Sequence, residues 1–192
     1  MPDKHWTQSF IKMGPPKHGE QRHTVSPIVA PENLIKLESL IRRRVKTILG
    51  SLPRNHDFNW VDMVSIELTT QMLATLFDFP FEDRRLLTYW SDVAVAIPKA
   101  GHAIDSWDKR STILSECLEY FTRLWNERIN AEPRMDLISM MAHSPATRQM
   151  EPSEFLGNLI LLIVGGNDTT RSDYRGPPVH EPAPLRAAKT TR

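Results

Sequence analysis

The sequence predicts an all-α protein, and three observations carry that reading. Apolar residues recur mostly at steps of three or four through three long stretches, which puts each set largely on one helix face. They are Leu34, Leu37, Ile41, Val45 and Ile48; Val61, Val64, Leu68, Met72 and Leu76; and Leu114, Cys117, Phe121, Leu124 and Ile129. Proline, glycine and capping residues fall between these stretches. Last, an unbroken apolar run, Leu159 to Val164, ends in Gly165-Gly166-Asn167-Asp168-Thr169-Thr170.

The elements follow in order. A short helix is expected near Pro16, because proline suits a first helical turn. His18 and Arg22 then project from one face, where an imidazole and a guanidinium can grip a carboxylate or simply be solvated. The helix over Asn33–Leu49 ends at Gly50 and Pro53. Its basic cluster, Arg42, Arg43, Arg44 and Lys46, reads as a solvated face, since nothing aromatic interleaves as in nucleic-acid binders. Trp60–Phe77 is a second helix, stopped by Asp78-Phe79-Pro80. Val93–Trp107, with Pro98 and Gly101, reads as a loop. Asp108–Asn130 is a long helix with Cys117 as a buried small hydrophobe. Pro133–Ile138 opens a short helix, and Glu151-Pro152-Ser153-Glu154 starts the last one.

That last helix organises the chain. Paired glycines weaken a helix, so they suggest an interior kept bare for something to approach the backbone. Helical numbering places Leu161, Gly165, Asp168 and Thr169 on one face. The Thr169 hydroxyl is expected to bond the Gly165 carbonyl and open a widened, kinked turn there.

Composition narrows the function. Of 192 residues, 40% are hydrophobic and 24% charged, and the net charge of +1 gives no pull toward nucleic acid. One cysteine cannot form an internal disulfide and fits a reducing compartment. The start, Met-Pro-Asp-Lys-His-Trp, has no apolar signal core, and Leu159–Val164 is too short to span a bilayer. A soluble, cytoplasmic protein is expected. The seven histidines show no His-Glu-x-x-His spacing, which argues against a metal hydrolase, and no phosphate loop or nucleophile elbow is present.

The string Gly-Gly-Asn-Asp-Thr-Thr behind an apolar helix resembles the central helix of the cytochrome P-450 family, the haem-thiolate monooxygenases, whose pattern is Ala/Gly-Gly-x-Asp/Glu-Thr-Thr/Ser. Pro16-x-His18-x-x-x-Arg22 resembles that family's haem-propionate helix, and the likeness covers about residues 10 to 171. The wording of Leu40–Ala94 looks most like the soluble bacterial branch that hydroxylates alkanes and related chains at the terminal carbon. The resemblance implies the middle helical portion of a mostly helical prism, and a haem b cofactor. It implies that His18 and Arg22 hold a propionate and that Gly165 and Gly166 leave room for dioxygen. Asp168 and Thr169 would relay protons, and Leu161 and Val164 would line a pocket for a small apolar substrate. The loop after Val93 would be the mobile lid over substrate entry. Electrons would come from NAD(P)H through a ferredoxin reductase and a ferredoxin.

The sequence also departs from the family. It has no Phe-x-x-Gly-x-x-x-Cys-x-Gly loop, so Cys117 is not the iron ligand and no metal ligand is assigned. The one Glu-x-x-Arg match, Glu82 with Arg85, precedes the threonine helix instead of following it, and is accidental. Residues 1–171 therefore read as a partial P-450 domain, inactive alone. Residues 172–192 turn abruptly proline-rich and read as an unstructured, frame-shifted tail. Reading Tyr174–Arg192 from each codon's second base, with synonymous third bases chosen freely, can restore a plausible helical continuation. The rival reading is a helical interaction module without haem.

Overall fold

The computed structural model describes residues 8–173. Phe10–Lys12 is a 3-10 turn, α1 spans Lys17–Val25, and a second 3-10 turn spans Ser26–Val29. Next come α2 (Pro31–Gly50) and a π-helical segment, Val61–Ile66, that continues into α3 (Glu67–Phe77). They are followed by α4 (Arg85–Val95), α5 (Trp107–Ile129), α6 (Leu137–His143) and α7 (Pro152–Asp173). Among the described residues there is no strand, as the periodicity predicts. α7 continues to Asp173, and the remainder of the expected tail, 174–192, lies outside the described residues. No helix among the described residues is long and apolar enough to cross a membrane.

Local chemistry sets the helix ends. The Ser106 side chain accepts from Lys109 N at 3.3 Å to start α5, and Asp136 accepts from Ser139 N at 2.8 Å to start α6. α3 stops at Asp78, which is left-handed (φ 49), while Phe79 N donates to Ala74 O at 2.8 Å. Aspartate tolerates that conformation better than most residues, and Arg128 and Arg134 both hold its carboxylate.

α7 crosses the middle of the bundle and packs on α4, α3 and α5. Its Leu159 and Ile163 are fully buried in one core with Phe77, Leu87, Phe121 and Met141. Each such side chain contributes about 1.5–3 kcal/mol by leaving water. Phe79 stacks on Tyr120 at 4.8 Å, and Phe77 meets Phe121 edge-on at 5.4 Å. Cys117 is fully buried in the same core, and burial pushes its thiol well above the usual range, so it stays protonated.

Three expectations change. The widened turn lies at Val61–Ile66, whereas α7 runs as α-helix through Gly165 and Thr169. The Thr169 hydroxyl does donate to Gly165 O at 2.6 Å, but a carbonyl has two lone pairs, so this bond need not displace the ladder. At the π-to-α seam, Thr69 and Thr70 hydroxyls reach Ser65 O (2.9 Å) and Ile66 O (2.6 Å), where the ladder changes pitch. Second, α2 buries only Ile48 of its predicted stripe, in a small separate cluster with Val64 and Leu68. Leu34 is 45% exposed and Ile35 71%. Third, Arg44 is not on the solvated face. It turns inward, donating to Gln71 O at 2.5 Å, and the desolvation that results lowers its pKa.

Candidate functional site

The two helices that carry the motifs are stitched together by polar side chains. Gln21 of α1 donates through Nε2 to Glu154 Oε1, and Lys17 Nζ lies 2.7 Å from Glu154 Oε2. Asn158 donates to Gln21 Oε1 at 3.0 Å and accepts from Phe10 N at 2.8 Å. Gln21, Glu154 and Asn158 are all nearly fully buried, yet each has a partner, as buried polar groups require. Glu154 sits in the first turn of α7, where a carboxylate also meets the positive end of the helix dipole.

This stitching fixes how α1 presents His18 and Arg22. His18 Nδ1 lies 2.8 Å from Phe10 O. A carbonyl only accepts, so Nδ1 carries the proton and Nε2 is the nitrogen left to meet another group. Arg22 is exposed, and among the described residues its guanidinium has no hydrogen-bond or ion-pair partner. It edges a largely apolar cavity of about 410 Å³ whose walls include Phe10, Leu73, Leu161, Gly165 and Gly166. On another side of α7 lies a cavity of about 350 Å³, lined by Gly157, Ile160, Leu161, Val164 and Gly165. The end of α4 (Ala94, Val95), Arg110 of α5 and the N-terminal residues Ser9, Ile11 and Lys12 complete it. Leu161 and Gly165 border both cavities.

The paired glycines differ. A Cβ built on Gly165 would meet nothing within 4 Å, whereas one on Gly166 would come 2.7 Å from Leu73 Cδ2. Gly165 is thus bare toward open space, and Gly166 is bare because α3 lies against it. Thr169 is exposed and Asp168 half-buried. The structure brings Arg22, Leu161, Gly165 and Gly166 to one cavity, Leu161, Val164 and Gly165 to the other, and neither Asp168 nor Thr169 lines either.

No family model matches the chain. Linalool 8-monooxygenase of Pseudomonas putida is 27% identical over 164 residues, 85% of this chain and 40% of that protein. The cytochrome P-450-153 from Novosphingobium aromaticivorans superposes with a TM-score of 0.77 at 48% identity, covering 89% of this chain and 41% of that one. CYP153D17 from Sphingomonas sp. PAMC 26605 gives 0.78 at 50% identity, covering 89% and 42%. The chain has the fold of part of a cytochrome P-450. It spans about two fifths of the length of these P-450 relatives.

The P-450 motifs were legible as words, but the groups that seat them were not. Gln21, Glu154 and Asn158 escape a motif search, although Lys17 with Gln21 and Glu154 with Asn158 are polar pairs four apart on helices. Arg110 escapes as well. It donates from Nε to Val93 O (3.2 Å) and from Nη2 to Ala94 O (2.5 Å), capping the end of α4 beside the second cavity. Burial lowers its pKa, a cost that the two carbonyls offset. Arg85 pairs with Asp62 and Glu67 in place of its sequence neighbour Glu82.

Proposed function

We propose that this chain forms the haem- and oxygen-facing helical part of a monooxygenase that inserts one oxygen atom of O2 into a C–H bond of an apolar substrate. The observation that carries the reading is the apolar cavity with Arg22 at its rim and the bare Gly165 backbone on its wall. A flat, apolar macrocycle bearing carboxylates suits such a surface: Arg22 and the His18 Nε2 edge would take a propionate, and Gly165 would admit the ring's neighbour. The fit is to one face, because Cys117 is enclosed in the core, away from both cavities. Haem, when bound, supplies the activation of dioxygen.

The chain's own residues position and protonate. Thr169 Oγ1 holds its proton on Gly165 O, so delivering a proton elsewhere requires the hydroxyl to turn away from that carbonyl. Asp168, next in the chain, is the acidic group that would replenish it. Leu161 and Val164 would contact the substrate in the second cavity, as part of its apolar α7 wall. Terminal hydroxylation of alkanes is the specific activity we assign, on the likeness of Leu40–Ala94 to that branch. A ferredoxin and its NAD(P)H-dependent reductase would supply electrons. The open stripe of α2 favours the rival reading, an interaction module without haem.

Haem titration separates the two. The 192-residue chain is expected to bind haem through the Arg22 cavity, weakened at least severalfold in Arg22→Ala, and to give no thiolate-type Soret band with carbon monoxide. Absence of any Arg22-dependent binding would favour the interaction module. A thiolate band from this chain alone would overturn its partial character.

A further inference from the structure

α3 meets α7 at two adjacent points. Thr69 and Leu73, four apart on α3, face it side by side. Leu73 lies against the bare Gly166 backbone. Thr69 Oγ1 lies 3.1 Å from Asn167 Oδ1, while remaining within reach of Ser65 O at 2.9 Å and Ile66 O at 3.1 Å. One hydroxyl proton cannot serve three acceptors. The bonding is satisfied when the Asn167 amide turns Nδ2 toward Thr69 Oγ1 and the Thr69 proton goes to Ser65 O.

Asn167 is fully buried, and in either orientation half of its amide is left without a partner, Nδ2 as the atoms stand. A buried, half-satisfied amide lowers stability, and leucine would fill the same volume without that cost. Its geometry suggests what it does instead. Gly165 and Thr169 each lie two residues from Asn167, about 200° round the helix, and so point away from the Asn167–Thr69 contact. Whatever fixes the rotation of α7 at Asn167 also fixes where those two residues point.

We propose that Asn167 is a positioning residue: its amide, pinned to the Thr69 hydroxyl beside the Gly166–Leu73 contact, sets the register of α7 and so aims the Gly165–Thr169 face. The glycine contact sets the distance between the helices, and the polar pin sets the rotation. The pin is a register device and not a source of stability, as buried polar groups are in some coiled coils. The inference rests on the oxygen-site reading only for what the aimed face does; its test needs no haem, so either can fail alone.

The test places a thiol on the buried side of α7 with Ile163→Cys and keeps the native Cys117 on α5 as an internal reference, both sites being fully buried. Labelling of each by N-ethylmaleimide is followed by mass spectrometry in the otherwise native chain and with Thr69→Val, Thr69→Ser or Asn167→Leu added. In Thr69→Val and Asn167→Leu, labelling at position 163 relative to Cys117 is expected to rise roughly fivefold, the factor matching one neutral hydrogen bond. The unfolding midpoint should hold or rise in Asn167→Leu and fall in Thr69→Val, which strips the buried amide of its partner, while Thr69→Ser, which keeps the hydroxyl, should behave as the parent. An unchanged ratio overturns the proposal. So does acceleration of both thiols together with a lower midpoint in Asn167→Leu, which would make the pair an ordinary stabilising contact.

Discussion

The two sides of α7 obey different rules. Toward α3 the helix is closed: Ile163 and Asn167 are fully buried, and a methyl group on Gly166 would have to displace Leu73. On the side opposite Asn167, Gly165 is bare with space to spare and Thr169 is exposed. One glycine is present so that a helix can pack, and its neighbour is present although packing makes no demand on it. The lesson is that a glycine pair in a motif need not be one functional unit. The open side is where packing imposes nothing and chemistry has the first claim.

The largest effect is expected on the open side, in an enzyme completed with a thiolate-bearing segment. Asp168→Asn should slow substrate oxidation by about a hundred- to ten-thousandfold, the range for losing a proton-transfer group, with substrate binding retained. Thr169→Ala should keep binding but divert electrons into hydrogen peroxide, measured as the ratio of peroxide to product. Unchanged rate and coupling in both would leave the open side without a chemical role. The closed side should respond in stability instead. Gly166→Val forces Leu73, itself 3% exposed, out of its place and should cost roughly 2–3 kcal/mol in a denaturant titration. An unchanged midpoint would erase the contrast between the glycines. The smallest effect belongs to Gly165→Ala. With nothing in the way, helix propensity alone should raise stability by about 0.5–1 kcal/mol in a thermal melt, while haem uptake falls. A loss of stability there would show that Gly165, too, is a packing glycine.

How much of this was legible beforehand follows from which forces are local. Helical period and helix punctuation are written in neighbouring residues, so every expected helix from Pro16 to Thr170 is found. The likeness to P-450s rests on two short words and is borne out by fold and relatives alike. What spacing could not supply was a partner. Nothing in Gly165-Gly166 says which glycine meets Leu73, and nothing near Arg44 says that its guanidinium will reach the carbonyl of Gln71. The stripe of α2 looked inward because period locates an apolar face without saying what covers it. The widened turn was misplaced for a related reason. A threonine four residues after a glycine shows where a back-bond can form, but the change of pitch came at Val61–Ile66, where Thr69 and Thr70 stand ready at the seam.

The thin anchoring of α2 has a consequence for how the molecule breathes. Its burial ends in the small cluster around Ile48, Val64 and Leu68, separate from the main core. Local opening free energy follows buried apolar contact, so the first half of α2 forms a cooperative unit of its own. Its amide protons, from Leu34 to about Leu40, should exchange with deuterated solvent long before those of Leu159 or Ile163. The Arg44 clasp on Gln71 O should mark the boundary between the two regimes. The same chain would then carry a slow clock at its centre and a fast one at its flank.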